Sequence, residues 1–263
     1  IARYHMAGEK TSLFRKEWGL IIFDEVHHIP SKLFRRTASL QSTRRIGLSA
    51  SPVREDSKER EIFALIGQEI GGDWARFFNQ EYVLKPDVTI TLVDWESDFY
   101  RNQYNQASGF KKANLASKNP AKTGVIGDLL DDHEDDKTIL FCDWLEQGQE
   151  LADEFDIPFV SGETDFDKRE EYFEKFREND ITTLIVSRIG DEGLDLPDAE
   201  VGIIASGQGG SRRQATQRAG RVMRPFGDAT VYIVATRGSN EEDFVKRQVE
   251  HLKEKGVPVE VEE

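Results

Sequence analysis

Short apolar runs separated by amphipathic segments dominate the hydrophobic pattern of this chain. Unbroken apolar runs of about four to eight residues are typical of strands buried on both faces of a parallel sheet. The pattern predicts strands at 20–24, near 46, and at 88–95, 138–141, 158–160, 183–187, 201–205 and 230–234. It predicts helices at 55–66, 145–154, 167–177, 212–222 and 241–255. Strands that alternate with helices in this way indicate an α/β fold built on parallel sheets.

The segment 96–122 interrupts the alternation, because it is rich in Asn, Gln, Ser and Lys. We therefore expect a linker or insertion between two lobes there. At its end, residues 116–123 (ASKNPAKT) resemble the phosphate-loop pattern G-x-x-x-x-G-K-T but have alanine at both glycine positions. Those glycines let backbone N–H groups approach the phosphates. We therefore interpret Lys122 as part of the start of a helix and not as a nucleotide ligand.

Composition narrows the classes of protein. The 263 residues are 38% hydrophobic and 32% charged, and no apolar run approaches the roughly 20 residues that a membrane-spanning helix needs. We expect no membrane association and a cytoplasmic location. The single cysteine, Cys142, follows a predicted strand and is expected to be buried. The net charge is −14, and the acidic residues are spread along the whole chain while the basic residues cluster locally. This pattern favours a protein from a halophile over an ordinary acidic cytosolic enzyme.

Two local clusters carry the candidate chemistry. Asp24 and Glu25 end the apolar run GLIIF, which puts them at the carboxyl edge of a parallel sheet, where open α/β sheets bind ligands. Far downstream, residues 209–224 contain five arginines. Three of them recur at every third position, at 218, 221 and 224, so on a helix they lie close together and can bind phosphate through paired hydrogen bonds. Carboxylates for a metal and arginines for phosphate predict nucleotide hydrolysis between two lobes.

Four motifs resemble those of superfamily 2 helicases. Asp24-Glu-Val-His27 resembles motif II and Ser49-Ala-Ser51 resembles motif III. Residues 187–197 (SRIGDEGLDLP) resemble motif V, and residues 217–224 (QRAGRVMR) resemble motif VI.

Within that superfamily the chain is most similar to the XPB-type DNA helicases. The similarity lies in residues 47–56 (GLSASPVRED), which contain a match to the family's RED element, and in residues 209–214 (GGSRRQ). It extends over nearly the whole chain and implies two RecA-like parallel-sheet lobes. Residues 1–95 would form the C-terminal part of an incomplete first lobe, 96–124 a short thumb-like linker, and 125–263 the second lobe with motifs IV to VI.

The resemblance implies ATP and Mg²⁺ as cofactors and assigns catalytic roles. Asp24 would hold the metal, and Glu25 would orient or deprotonate the attacking water. Arg221 and Arg224 match the arginine fingers that neutralise charge on the γ-phosphate.

Further roles follow from the same motifs. Gly193, Asp195, Gln217 and Arg218 match nucleotide-contacting positions, although Arg218 could instead pair with an acid. The residues expected to couple the ATP site to the nucleic acid are His27, Ser49 and Ser51. The candidate nucleic-acid contacts are Arg54, Ser187 and Arg188; for Arg188 a surface salt bridge is an equal alternative.

The resemblance also predicts that a phosphate-loop motif precedes Ile1, so that this chain would be the C-terminal part of a longer helicase and inactive alone. The predicted function is an ATP-dependent DNA helicase or duplex translocase in repair or transcription. Its partners would be duplex or forked DNA and a protein such as a nuclease or a repair or transcription factor. Two alternatives remain open: a translocase subunit of a restriction system, and a non-catalytic scaffold that binds nucleic acid or protein.

Overall fold

The computed structural model describes residues 11–31, 35–49, 58–70, 85–187, 196–206, 229–254 and 256–262. The chain divides into two compact units, Ile1–Gly72 and Asp73–Glu263. Within the described ranges, no helix has both the length and the apolar composition that crossing a bilayer requires.

The smaller unit contains a two-stranded parallel sheet. Strand β1 (Trp18–Phe23) pairs with β2 (Ser42–Gly47), with Ile22 opposite Ile46. Helix α1 (Thr11–Phe14) precedes the sheet and α2 (Glu59–Ile66) follows it, and single 3-10 turns lie at Val26–His28 and Arg35–Ser39. The buried core of this unit is small and consists of Phe23, Val26, Ile29 and Ile62.

The larger unit contains a seven-stranded sheet in which every pairing is parallel. Its strands are β3 (Asp87–Val93), β4 (Thr138–Phe141), β5 (Phe159–Val160), β6 (Thr183–Val186), β7 (Val201–Ile204), β8 (Thr230–Thr236) and β9 (Val259–Glu262). Its helices are α3 (Asp98–Gln106), α4 (Gly109–Ser117), α5 (Ala121–Asp132), α6 (Leu145–Phe155), α7 (Phe166–Arg177) and α8 (Asn240–Glu254). The strand order is β5-β6-β4-β7-β8-β3-β9.

The core of the larger unit lies on both faces of this sheet. Alternate residues of β4 belong to different clusters: Ile139 and Phe141 to one, Leu140 to the other. Because successive side chains of a strand point to opposite faces, both faces of β4 are buried. This explains why the central strands have unbroken apolar sequences, and it confirms the predicted α/β fold with parallel sheets.

One strand lies in a different sheet from the one that the sequence suggested. We expected the first lobe to extend to residue 95, but β3 pairs with β8 from Asp87 to Val93 and with β9 from Val88 to Thr91. Its β-branched, alternating sequence identifies a strand without identifying its neighbours. The boundary between the compact units falls near residue 72, so β3 belongs to the second unit. The remaining domain limits stay predictions.

The segment expected to be a linker is part of the larger unit. Most of it forms α3, α4 and the start of α5, and Tyr104 and Ala116 are buried. The hydroxyl of Tyr104 accepts a hydrogen bond from the N–H of Asn240 at 2.7 Å. The polar composition of this segment did not indicate the packing, because a few buried residues such as Tyr104 and Ala116 are enough to attach short helices to the rest of the unit. The interpretation of Lys122 is confirmed: it is the second residue of α5 and binds Glu241.

Candidate functional site

The acidic pair follows β1 directly. Backbone hydrogen bonds hold the turn to the residues after β2: Leu48 N–H donates to Phe23 O at 2.8 Å, and Val26 N–H donates to Leu48 O at 2.9 Å. Asp24 and Glu25 lie between these two bonds. The structure therefore presents both carboxylates at the carboxyl edge of the small parallel sheet, as the apolar run before them predicted.

Glu25 adopts a left-handed backbone conformation, with φ 47° and ψ 51°. A residue other than glycine is uncommon there and persists only when its surroundings hold it. Its N–H donates to Oδ1 of Asp24 at 3.0 Å, which ties the two acidic residues together. No sequence pattern indicated this conformation, which depends on the contacts around the turn.

Close packing against the end of β2 also shapes the turn. A Cβ atom added to Gly47 would lie 2.9–3.0 Å from three side-chain atoms of Val26, closer than nearly all real Cβ contacts. Val26 is buried in the small core. Glycine at position 47 therefore permits the close approach that brings the acidic turn against β2.

His27 joins the acidic turn to the segment after β2. Its ring is fully buried, and Nδ1 lies 2.9 Å from Oγ of Ser49 and 3.2 Å from Oε2 of Glu25. The rings of His27 and His28 are 4.2 Å apart. The structure thus brings together three of the residues named from motifs II and III: Glu25, His27 and Ser49. Their coupling role stays a prediction.

Asp24 fits the requirements of a Mg²⁺ ligand. It is exposed, and its carboxylate supplies the hard oxygen that this ion prefers. Among the described residues, no group of three or more His, Cys, Asp or Glu forms a metal cluster. A single carboxylate is nevertheless sufficient, because Mg²⁺ in nucleotide sites takes most of its ligands from phosphates and water.

The larger unit has a second group of polar residues at the carboxyl edge of its sheet. Ser161, Ser187, Asp143 and Ser206 follow β5, β6, β4 and β7, and all four are buried. The N–H of Asp143 donates to Oγ of Ser206 at 2.9 Å, and Ser187 N–H donates to Val160 O at 3.0 Å. After β4 the chain goes to β5 and β6, which lie on one side of β4 in the strand order. After β6 it crosses to β7, which lies on the other side of β4. Such a switch point is where open α/β sheets bind ligands.

Sequence reasoning identified Ser187 in this group but missed Asp143, Ser161 and Ser206. The signal was present in all four cases, since each polar residue lies at, or within two positions after, the end of a predicted apolar strand.

The other candidate residues lie outside the described ranges, as do the predicted helix 212–222 and the RED element. They are Ser51, Arg54, Arg188, Gly193, Asp195, Gln217, Arg218, Arg221 and Arg224. Their roles stay predictions.

Comparison with known proteins identifies related sequences over most of the chain. The ERCC3/RAD25/XPB C-terminal helicase family matches residues 79–257, and the type III restriction enzyme res subunit family matches residues 2–54. A putative DNA 3'-5' helicase Rad25 of Haloarcula marismortui is 49% identical over 98% of this chain and 42% of its own length. The DNA 3'-5' helicase XPB of Mycobacterium tuberculosis is 36% identical over 92% of this chain and 44% of its length.

The chain thus spans less than half the length of these relatives. The match to the halophilic archaeon agrees with the acidic composition.

Solved structures agree on the fold. Yeast Dbp5 bound to RNA and ADP BeF3 superposes with a TM-score of 0.68 at 11% identity, over all of this chain and 64% of that protein. A DEAD box protein from Methanococcus jannaschii gives a TM-score of 0.50 at 15% identity, over 93% of this chain and 60% of its own. At such low identity the likeness concerns the RecA-like fold alone. Because the family match covers most of the second unit and more than half of the sequence, this chain belongs to the ERCC3/RAD25/XPB C-terminal helicase family.

Proposed function

We propose that this chain provides motifs II to VI of an ATP-dependent DNA helicase or duplex DNA translocase. The observation that carries the proposal is the acidic turn, in which Glu25 has a left-handed backbone and lies 3.2 Å from a buried His27 that contacts Ser49. A family member that needed only to bind a partner would have no use for this strained and internally linked pair of motifs.

ATP with Mg²⁺ is the proposed cofactor, with Asp24 as the protein ligand of the metal. The ion supplies charge neutralisation for the β- and γ-phosphates when it is bound. Glu25 accepts a proton from the attacking water or orients it. Gly193, Asp195, Gln217 and Arg218 contact the nucleotide, and Arg221 and Arg224 neutralise the charge that develops on the transferred phosphoryl group.

His27 is proposed to report the state of the nucleotide. Its Nδ1 lies within reach of both Glu25 and Ser49, so a change in the hydrogen bonding of Glu25 alters the hydrogen bond to Ser49. Ser51 follows Ser49 by two residues and is proposed to act in the same relay.

DNA is the proposed substrate, because the relatives that share 36–49% of their aligned residues with this chain are named DNA helicases. The proposed contacts are Arg54, Ser187 and Arg188. Ser187 is the described member of this set and follows β6 at the carboxyl edge of the larger sheet. Duplex or forked DNA, a repair or transcription setting and a cytoplasmic location belong to the same proposal.

The test is ATP hydrolysis by the full-length protein with Glu25→Gln. The substitution keeps the shape of the side chain but removes the base, so we expect turnover to fall by about 10²–10⁴-fold while ATP binding persists. Turnover is measured by phosphate release, and binding by equilibrium titration with a fluorescent ATP analogue.

Glu17→Gln is the matched control, because Glu17 is an exposed acid one residue before β1. It should leave turnover unchanged. Duplex DNA should stimulate the wild-type ATPase more than duplex RNA does. Unchanged turnover in the Glu25 variant would remove this residue from its role, and a wild-type protein without DNA-stimulated hydrolysis would contradict the proposed function.

A second candidate function, the translocase subunit of a restriction system, is favoured by the match of residues 2–54 to the type III restriction enzyme res subunit. It predicts that the full-length protein, with its partner subunits, cleaves DNA in an ATP-dependent manner. Supercoiled plasmid that remains intact in the presence of ATP and Mg²⁺ would argue against it.

A further inference from the structure

Strand β7 leaves the large sheet before its neighbour β8 ends. The last paired residues are Ile204 on β7 and Ile233 on β8, whereas β8 continues to Thr236. The N–H of Arg237 donates to Val93 O on β3, so the preceding N–H, that of Thr236, points to the opposite side, where β7 would have continued. Backbone groups at this point need other partners, because a buried unpaired N–H or C=O costs free energy.

A buried ion pair supplies those partners. Nζ of Lys122 donates to Ala205 O at 2.5 Å and lies 2.9 and 3.1 Å from the two carboxylate oxygens of Glu241. Oε2 of Glu241 also accepts the N–H of Thr236 at 3.0 Å. The side chains of Lys122 and Glu241 are only 2% and 6% exposed. The ion pair therefore supplies hydrogen-bond partners for backbone groups of Ala205 and Thr236, which lie beyond the last paired residues of β7 and β8.

Two amide side chains, Gln147 of α6 and Asn119 between α4 and α5, also bind backbone atoms near this place. Nε2 of Gln147 donates to Ser117 O at 2.6 Å and lies 3.4 Å from Ala205 O. Nδ2 of Asn119 donates to Asp94 O at 2.9 Å and to Oγ1 of Thr236 at 3.3 Å. Side-chain hydrogen bonds, in addition to the backbone bonds between strands, thus fix the chain at the ends of β7 and β8.

A gain in stability does not by itself explain why an ion pair, Lys122 with Glu241, is buried at this place. Burial lowers the pKa of Lys122, and the nearby carboxylate of Glu241 only opposes that shift. Buried ion pairs are often no more stabilising than apolar side chains of the same volume. What an ion pair adds is direction, because its hydrogen bonds fix specific backbone atoms.

The backbone atom that Lys122 holds belongs to Ala205, twelve residues before the first residue of the arginine motif at 217–224. Ser206 follows Ala205 and accepts the N–H of Asp143 at 2.9 Å. The next residues in sequence, 207–228, include Arg221 and Arg224. We propose that Lys122 and Glu241 are positioning residues for ATP hydrolysis, which set the direction in which the chain leaves β7 toward these arginines. This inference rests on the proposed function.

The test compares Lys122→Met, Glu241→Gln and the double variant in the full-length protein. Each single variant leaves one charge buried without its partner, so the Tm should fall by about 5–10 °C. The double variant is neutral and keeps an acceptor for Thr236 N–H, so most of the Tm should return. Its kcat should nevertheless stay about 10–100-fold below wild type, with the KM for ATP changed by less than about threefold, because misplaced groups act on the transition state.

Leu252→Ala is the matched control for destabilisation, since Leu252 is buried in α8 outside this network. At a temperature where both variants are folded, it should keep the wild-type kcat although its Tm falls by a similar amount. The proposal is overturned if the double variant has the wild-type kcat, or if Leu252→Ala loses as much kcat as Lys122→Met does.

Hydrogen exchange separates this inference from the proposed function. In the double variant, a peptide that contains Ala205 in its interior should exchange its amide protons faster than in wild type, while peptides from β4 stay unchanged. Equal exchange at Ala205 would refute the positioning role whatever the ATPase shows. If the wild-type protein has no ATPase activity but the double variant still shows the expected faster exchange, the proposed function and the link to ATP hydrolysis are refuted. The structural role of Lys122 and Glu241 at the end of β7 would then remain.

Discussion

The two units of this chain contain strands of similar apolar sequence that are buried to very different extents. In β1, Leu20 and Ile22 are 45% and 56% exposed, whereas Ile203 in β7 is fully buried. Within the described residues, β1 has one hydrogen-bonded neighbour, while β7 lies between β4 and β8. Successive residues of β7 also enter clusters on opposite faces of the sheet. Burial is therefore decided by neighbours rather than by the apolar run itself.

This difference shows that the two units keep their geometry through different kinds of contact. The acidic turn of the smaller unit keeps its geometry through short-range contacts: two backbone bonds to Leu48, the approach of Gly47, and the bond from His27 to Ser49. The larger unit keeps its shape through two extensive apolar clusters. Substitutions should accordingly have effects of different size and kind in the two units.

The largest difference is expected between Phe141→Ala and Ile22→Ala. Phe141 is 1% exposed in the centre of the large sheet, and its truncation should cost about 3–5 kcal/mol through lost burial and a cavity. Ile22 is more than half exposed, and its truncation should change stability by about 0.5 kcal/mol or less. Urea unfolding followed by far-UV circular dichroism measures both. Equal losses of unfolding free energy in the two variants would contradict the difference in burial between the two units.

An intermediate effect is expected for Gly47→Ala. The new methyl group would meet the side chain of Val26 at 2.9–3.0 Å, and such overpacking should cost about 1–3 kcal/mol. Gly19→Ala is the control on β1, because nothing lies within 4 Å of a Cβ there. Thermal unfolding compares the two variants, and ATPase assays of the full-length protein show whether the acidic turn has moved. If Gly47→Ala and Gly19→Ala lowered the Tm equally, close packing against Val26 would not explain glycine at position 47.

A smaller loss of stability than that of Gly47→Ala is expected for Ser49→Ala. It removes the hydroxyl that lies 2.9 Å from Nδ1 of His27, and one hydrogen bond should contribute about 0.5–1.5 kcal/mol. In the full-length protein the stimulation of the ATPase by DNA should fall more than the basal rate does.

Thr43→Val removes an exposed hydroxyl on β2 and is the control for Ser49→Ala. It should leave both the stability and the stimulation by DNA unchanged. A Ser49 variant with wild-type DNA stimulation would contradict the coupling role.

Local patterns were sufficient to predict most of the strands and helices. The strand at Thr138–Phe141 was predicted to the residue, and the helix at Leu145–Phe155 to within one residue, because apolar runs and helical spacing are local properties. Strand β9 was missed, since its sequence Val-Glu-Val-Glu is short and acidic. Its pairing with β3 comes from the neighbouring strand rather than from its own composition.

The candidate site shows the same division. The position of Asp24 and Glu25 at the end of a strand followed from the apolar residues before them. The family resemblance grouped His27 with Ser49, and the structure places them 2.9 Å apart. The left-handed conformation of Glu25 could not be predicted, because it depends on hydrogen bonds to residues more than twenty positions away.

The amino-acid sequence by itself determined the α/β class, the parallel strands, the order of the helicase motifs and the family to which they belong. Only the tertiary structure decided that β3 and the helices α3 and α4 join the larger unit, and that Lys122 and Glu241 meet across 119 residues of chain. The physical reason is that hydrophobic periodicity and turn chemistry act over a few residues. Strand neighbours and buried ion pairs depend instead on which distant segments compete for the same edge of the sheet.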